Sequence, residues 1–157
     1  MRRCIALLLI VSAILFPQQV SAQSTVRIHK SVALISIPRM KLISEIYMGI
    51  TNDVFDIGVG QWPGTPTPGK RGNLVLGGHR TSGTHPFGKI NLLRKGDVVT
   101  LIAKGKTYLY RVTERLIVKP TSLWITNPTR TATLTMFACH PLGETTSRYV
   151  VRAALVS

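Results

Sequence analysis

The chain has 157 residues, 45% of them apolar, and carries 20 lysines and arginines against 6 aspartates and glutamates, a formal net charge of +14. That size suits one ordinary domain able to bury a core without cross-links, and nothing in it calls for a second domain. A charge so lopsided bears on partners rather than on fold.

The N-terminus reads Met1-Arg2-Arg3-Cys4, then an apolar run from Ile5 to Phe16, then Pro17 and the small-residue stretch Val20-Ser21-Ala22. A membrane span needs about 20 apolar residues. An export signal instead has a positive start, an apolar run of roughly 7–15 residues and a small-residue cleavage site. Residues 1–22 are therefore expected to be a signal peptide, or an N-terminal membrane anchor through residues 5–16 if uncleaved, with the remainder on the extracytoplasmic face of the membrane or in the cell wall. With that leader set aside, Cys139 is the one cysteine left of two. A lone cysteine outside the cytosol is a link to another chain, a functional thiol or an inert buried thiol.

Residues 23–31 are polar and basic without a period and read as a linker; residues 32–157 form the domain. Val32 to Pro38 is a short β-branched run stopped by proline, a first strand at an edge. Lys41 to Tyr47 is a second strand. Thr51-Asn52-Asp53 caps a helix of one or two turns that Gly58 closes. Gly60 to Gly72, rich in proline and glycine, is a long surface loop, with Trp62 expected to pack it onto the body of the protein. Asn73 to His79 is a strand in which Gly77-Gly78 permits a sharp turn or close approach before the histidine. Phe87, Ile90 and Leu93 share one face of a short helix. Val98 to Ala103, a Lys104-Gly105 turn and Thr107 to Lys119 make a hairpin, its second strand alternating Tyr108, Tyr110 and Val112 with polar neighbours. Pro120 to Arg130 is a connection, Thr131 to Ala138 a strand ending at Cys139, Pro141 to Thr146 a loop, and Ser147 to Val156 the last strand. Many short strands with one or two short helices point to a mainly β fold, a closed or nearly closed barrel.

Two of these strands end on reactive side chains, His79 and Cys139. A thiol attacks a carbonyl as the thiolate and needs a neighbour to take its proton, which an imidazole can do. His79, His85 and His140 compete for that role. His140 directly follows Cys139, and alternation along a strand turns it away from the thiol. An oxyanion needs a fixed donor, and arginine stays charged while presenting several N–H groups. Arg148 and Arg152 both qualify, since they share the face of the last strand opposite Tyr149, Val151, Ala153 and Leu155. No paired Cys/His spacing suggests zinc and no carboxylate cluster suggests calcium. Nucleic acid is a poor partner for cations spread along the chain without a binding motif. An anionic cell envelope suits the charge better, as does simple solubility.

The segments Gly72-Asn73-Leu74-Val75-Leu76-Gly77-Gly78-His79-Arg80, Thr135-Met136-Phe137-Ala138-Cys139 and Arg148-Tyr149-Val150-Val151 resemble the sortases, the cell-wall transpeptidases of Gram-positive bacteria. The likeness spans roughly Leu34 to Leu155, and Cys139-His140-Pro141 with Trp62-Pro63-Gly64 is most similar to classes E and D. It implies a single closed β-barrel of about eight strands, with Cys139 as nucleophile, His79 as acid and base, and Arg148 rather than Arg152 as the carbonyl or oxyanion donor. It further implies cleavage of a Leu-Pro-x-Thr-Gly-like or Leu-Ala-x-Thr-Gly-like sorting signal on a secreted protein between Thr and Gly. The resulting thioester would pass to a peptidoglycan-precursor or pilin amine, with no cofactor. The family's usual Thr-Leu-x-Thr-Cys reads here with Met136 and Ala138. Methionine for leucine keeps apolar volume; Ala138 lacks a hydroxyl beside the thiol, which marks it as a substrate-binding position to inspect. Two other readings stay open, a hydrolytic cysteine protease of the same fold and a barrel that only binds sorting signals.

Overall fold

The computed structural model describes residues 29–157; the leader and residues 23–28 of the linker lie outside the described residues. Among the described residues, alternating apolar and polar side chains give eight strands. These are β1 (Ser31–Ile37), β2 (Leu42–Met48), β3 (Val59–Gln61), β4 (Gly72–Gly77), β5 (Val98–Ala103), β6 (Lys106–Val118), β7 (Ala132–His140) and β8 (Ser147–Leu155), with one helix, α1 (Asn52–Ile57). Their order around the molecule is β1-β2-β3-β4-β7-β8-β6-β5, and β5 pairs back to β1, so the barrel closes.

Closure leaves one face of each strand inside, and those faces fill the interior. Ile35 and Ile37 of β1, Leu74 and Leu76 of β4, Val99 and Leu101 of β5, Tyr110 and Val112 of β6, Leu134, Met136 and Ala138 of β7, and Val151 and Ala153 of β8 all belong to one buried cluster. An eight-stranded barrel is just wide enough to be filled by such side chains. Phe87, Ile90 and Leu93, all fully buried, plug it from the connection between β4 and β5. The expected helix there is a turn with a single 3-10 segment, Ile90–Leu92, which still brings the three apolar side chains to one side. Truncating any one of them to alanine costs about 2–5 kcal/mol.

β3 overlaps the start of the Gly60 to Gly72 stretch that the sequence reads as loop. Three residues containing a glycine carry too little pattern to be recognised. The strand forms because α1 carries the chain over to pair in parallel with β2, while its other edge meets β4 antiparallel. The turn at Lys104-Gly105 has positive φ at both residues, 50° and 73°, which matches the twist of a two-residue hairpin. In β6 the register against β8 slips between Val112 and Glu114, a bulge at Thr113 that turns the rest of the strand over.

The β4 and β7 region is covered on both sides, which explains why Leu74, Val75 and Leu76 are apolar without a break rather than alternating. Val75 and Thr135, on the outer face, have no exposure at all. Trp62 starts one covering loop, its backbone N–H donating to Val75 at 2.9 Å. The β6–β7 connection supplies the other cover through Ile125, which lies in a 3-10 turn, Leu123–Thr126. Asn73 clamps that turn: its Nδ2 donates to the carbonyls of Ile125 at 2.8 Å and Asn127 at 3.0 Å, and its Oδ1 accepts from Thr135 Oγ1 at 2.7 Å. Further along the Pro-rich loop, Gly69 N–H donates to the Tyr110 hydroxyl at 2.8 Å, and burial pushes that phenol above its ordinary range.

Candidate active site

Register brings the predicted residues together. β4 and β7 run parallel with Gly77 opposite Phe137, and their ladder closes where Gly78 N–H donates to Phe137 at 3.2 Å. Two residues past that pair come His79 and Cys139. β8 runs antiparallel to β7 with Arg148 directly opposite Cys139. Neighbouring strands lie about 4.8 Å apart, so imidazole, thiol and guanidinium issue from adjacent positions across one end of the sheet.

Alternation decides which way they face. Leu134, Met136 and Ala138 point into the barrel, so Thr135, Phe137 and Cys139 point out. His79, Cys139 and Arg148 all border one groove of about 450 Å³. Its apolar walls include Phe55, Trp62, Phe137 and Leu123, and its charged rim includes Lys119 and Glu144. Trp62 thus packs its loop as expected, edge-on to Phe137 at 6.0 Å, and also lines the groove. Gly77 makes room for this floor: a Cβ there would lie 2.6 Å from Phe137 Cζ and 2.8 Å from Phe55 Cζ.

Ala138 differs from the expectation placed on it. It borders the groove, but at 1% exposure its methyl belongs to the barrel cluster. The side chain at 138 faces away from the thiol because strand neighbours alternate.

The two arginines separate by partner. Arg152 lies opposite Thr135. Its Nη1 meets Glu114 Oε1 at 3.2 Å, and its guanidinium sits over the Trp124 ring at 5.2 Å, so it is occupied outside the groove. Arg148 Nη1 donates to the carbonyls of Thr145 and Ser147, both at 2.9 Å, which fixes the guanidinium beside the β7–β8 loop.

The histidines separate as well. His79, two residues beyond the end of β4, is held from α1, with Nε2 3.4 Å from Asp56 Oδ1 and its ring edge-on to Phe55 at 5.5 Å. Thr84 N–H donates to the Asp56 carbonyl at 3.1 Å, tying the loop after His79 to the same helix. His140 Nδ1 lies 3.1 Å from Arg80 Nη1. Arginine only donates, so in this contact the ring nitrogen is the acceptor. That lone pair is committed, and the ring tilts against Tyr149 at 5.7 Å. His85 is exposed on its loop, Nδ1 3.1 Å from the Gly83 carbonyl. Neither His85 nor His140 borders the groove. Among the described residues no group of His, Cys, Asp and Glu is arranged to hold a metal ion.

Sequence reasoning passes over Asp56, Phe55 and Arg80. The first two sit in a short helix far from His79 in the chain, and no local pattern links them. Arg80 adjoins His79, and that adjacency is the one signal the sequence offers.

A sortase domain matches residues 35–156. Sortase SrtE1 of Streptomyces coelicolor is 30% identical over 133 residues, covering 74% of this chain and 37% of that protein. Sortase D of Bacillus subtilis is 27% identical over 122 residues, covering 75% of this chain and 60% of that one. The chain thus spans less than two thirds of the length of these curated relatives. Among solved structures, a sortase E variant from Streptomyces avermitilis superposes with a TM-score of 0.74 at 27% identity, covering 82% of this chain and 89% of that one. Sortase A of Corynebacterium diphtheriae, as a lid mutant, gives 0.79 at 25%, covering 85% and 74%. With a sortase domain over most of its length and the same closed barrel, the chain belongs to the sortase family.

Proposed function

We propose that the protein is a sortase-type cysteine transpeptidase acting at the extracytoplasmic face of the membrane or in the cell wall. The observation that carries this reading is the row of His79, Cys139 and Arg148 on one groove, set by the β4–β7 and β7–β8 registers. His79 takes the thiol proton and Cys139 Sγ attacks the threonine carbonyl of a Leu-Pro-x-Thr-Gly-like or Leu-Ala-x-Thr-Gly-like segment. Arg148 donates N–H groups to the carbonyl oxygen as it gains charge. The threonine–glycine bond breaks, the proton passes from His79 to the departing glycine amine, and a thioester remains. An amine of a peptidoglycan precursor or a pilin lysine then attacks that thioester, gives its proton to His79 and releases the thiolate.

The groove's aromatic walls suit a peptide carrying apolar side chains, and the net charge of +14 suits an anionic envelope. Residues 1–22 would export the domain or tether it. A binding-only barrel rests on Ala138 alone, and that methyl faces the core.

The test is incubation of the purified domain with a sorting-signal peptide library, with and without an amine acceptor. A thioester trapped on wild type and missing from Cys139→Ala, with acceptor-dependent product, is the expected result. Hydrolysis alone under abundant acceptor overturns the transfer step, and no thioester with any peptide overturns the reading as a whole.

A further inference from the structure

Arg80 is 8% exposed, yet among the described residues it forms no ion pair with a carboxylate. Buried arginines are ordinarily matched by an acid, because an unmatched charge is expensive to desolvate. Its guanidinium is spent on neutral acceptors: Nη1 on the Cys139 carbonyl at 3.3 Å and on His140 Nδ1 at 3.1 Å, and Nη2 on Asn91 Oδ1 at 3.0 Å. Its Nε is buried without a hydrogen-bond partner among the described residues.

The position of that carbonyl explains the arrangement. In the parallel ladder of β4 and β7 the last backbone bond runs from Gly78 N–H to Phe137. Continuing the pattern, the next bond would run from the backbone N–H of residue 80 to the Cys139 carbonyl. β4 has already ended at Gly77, and the chain departs with His79. The Cys139 carbonyl therefore faces the vacated side, and the Arg80 side chain supplies the donor that the missing strand would have given.

We propose that Arg80 is a positioning residue for the transpeptidation, holding the nucleophile-bearing end of β7 in register with His79. The fork spans from the nucleophile's own backbone to Asn91 in the β4–β5 connection, so the thiol and the segment following its partner histidine are tied by one side chain. The inference rests on Cys139 as nucleophile and His79 as acid and base.

The experiment compares wild type with Arg80→Met, Arg80→Lys and Asn91→Ala in steady-state cleavage of a sorting peptide, with Cys139→Ala and His79→Ala alongside and a thermal melt of each. A displaced reacting group loses on the order of 10²-fold in rate. Arg80→Met is expected to lose kcat on that scale with KM held within about twofold of wild type. Arg80→Lys keeps the charge but cannot reach both sides, and is expected to lose kcat as well. Asn91→Ala removes only the far anchor at an exposed residue and should lower kcat severalfold without shifting the melt. Wild-type kcat in Arg80→Met, full recovery in Arg80→Lys, or a change confined to KM overturns the proposal. If Arg80→Met fails to fold, Asn91→Ala decides: lower kcat at constant KM supports the role and wild-type kinetics removes it. Activity persisting in Cys139→Ala or His79→Ala would instead defeat the underlying assignment, whatever Arg80 does.

Discussion

Replacing Asn73 with leucine tests how the groove wall is held. The side chain is 1% exposed and makes three hydrogen bonds, to Ile125, Asn127 and Thr135. Leucine keeps the branched heavy-atom outline, with bulkier methyls in place of the amide oxygen and nitrogen, and deletes all three. Asn127 is exposed, so its carbonyl regains water. The Thr135 hydroxyl and the Ile125 carbonyl stay buried and unpaired, at about 1–3 kcal/mol each, partly offset by the apolar gain of leucine. The net loss should be about 3 kcal/mol, lowering Tm by about 10 °C for a domain of this size. Thr135→Val leaves Asn73 Oδ1 without its donor and should cost about 1–2 kcal/mol. The double variant removes both ends of that bond, so its loss should fall short of the sum by about 1 kcal/mol. Urea melts of the four proteins give the cycle. Because Ser122, Leu123, Ile125 and Thr126 line the groove, the same variants should raise KM for the peptide. Additivity within about 0.5 kcal/mol, or a loss below about 1 kcal/mol for Asn73→Leu, would refute the clamp.

Arg148→Ala should lower the acylation rate by about 10²–10³-fold, the scale of removing an oxyanion donor. Arg152→Ala should lower it only severalfold, since that guanidinium is engaged by Glu114 and Trp124; single-turnover thioester formation compares them, and equal losses would reject the assignment. Asp56→Asn should lower kcat severalfold by loosening His79, and kcat matching wild type would remove Asp56 from the site. For Asp97, burial opposes ionisation. Hydrogen bonds from Arg39 and from the Arg94 backbone N–H, with the charges of both, outweigh it and hold the carboxyl below its ordinary range. A depressed folded pKa stabilises above the unfolded value, about 3.9, and the benefit disappears as pH falls through the folded one. Asp97→Asn should therefore melt lower than wild type at pH 7, with the gap closing below about pH 4; a gap that is independent of pH would contradict this.

Local pattern carries faces well and partners poorly. The alternation in β8 puts Arg148 and Arg152 on one outer face, where they are, and it can go no further, because both satisfy the same period. What separates them is the residue across the strand pair, Cys139 for one and Thr135 for the other. β3 reads as loop because its pairing energy comes from β2 and β4 and leaves little trace in three residues. β4 and β7 are recognisable as strands one by one, yet their parallel pairing skips β5 and β6 entirely, and no local feature of either announces it.

That same non-local register explains why the site residues nearest in sequence to the predicted ones escape a local reading. Strand alternation turns His140 away from the thiol but leaves its partner unknown, and Arg80 looks like loop because it lies beyond the last strand residue. Each acquires its role only when β4 stops short while β7 runs on, leaving the Cys139 carbonyl without a strand neighbour. One side chain then takes up both that carbonyl and the His140 lone pair. The mismatch in strand length creates the unpaired acceptor beside the thiol. A ladder that continued through residue 80 would satisfy the carbonyl with backbone, so the need for Arg80 originates in the early end of β4.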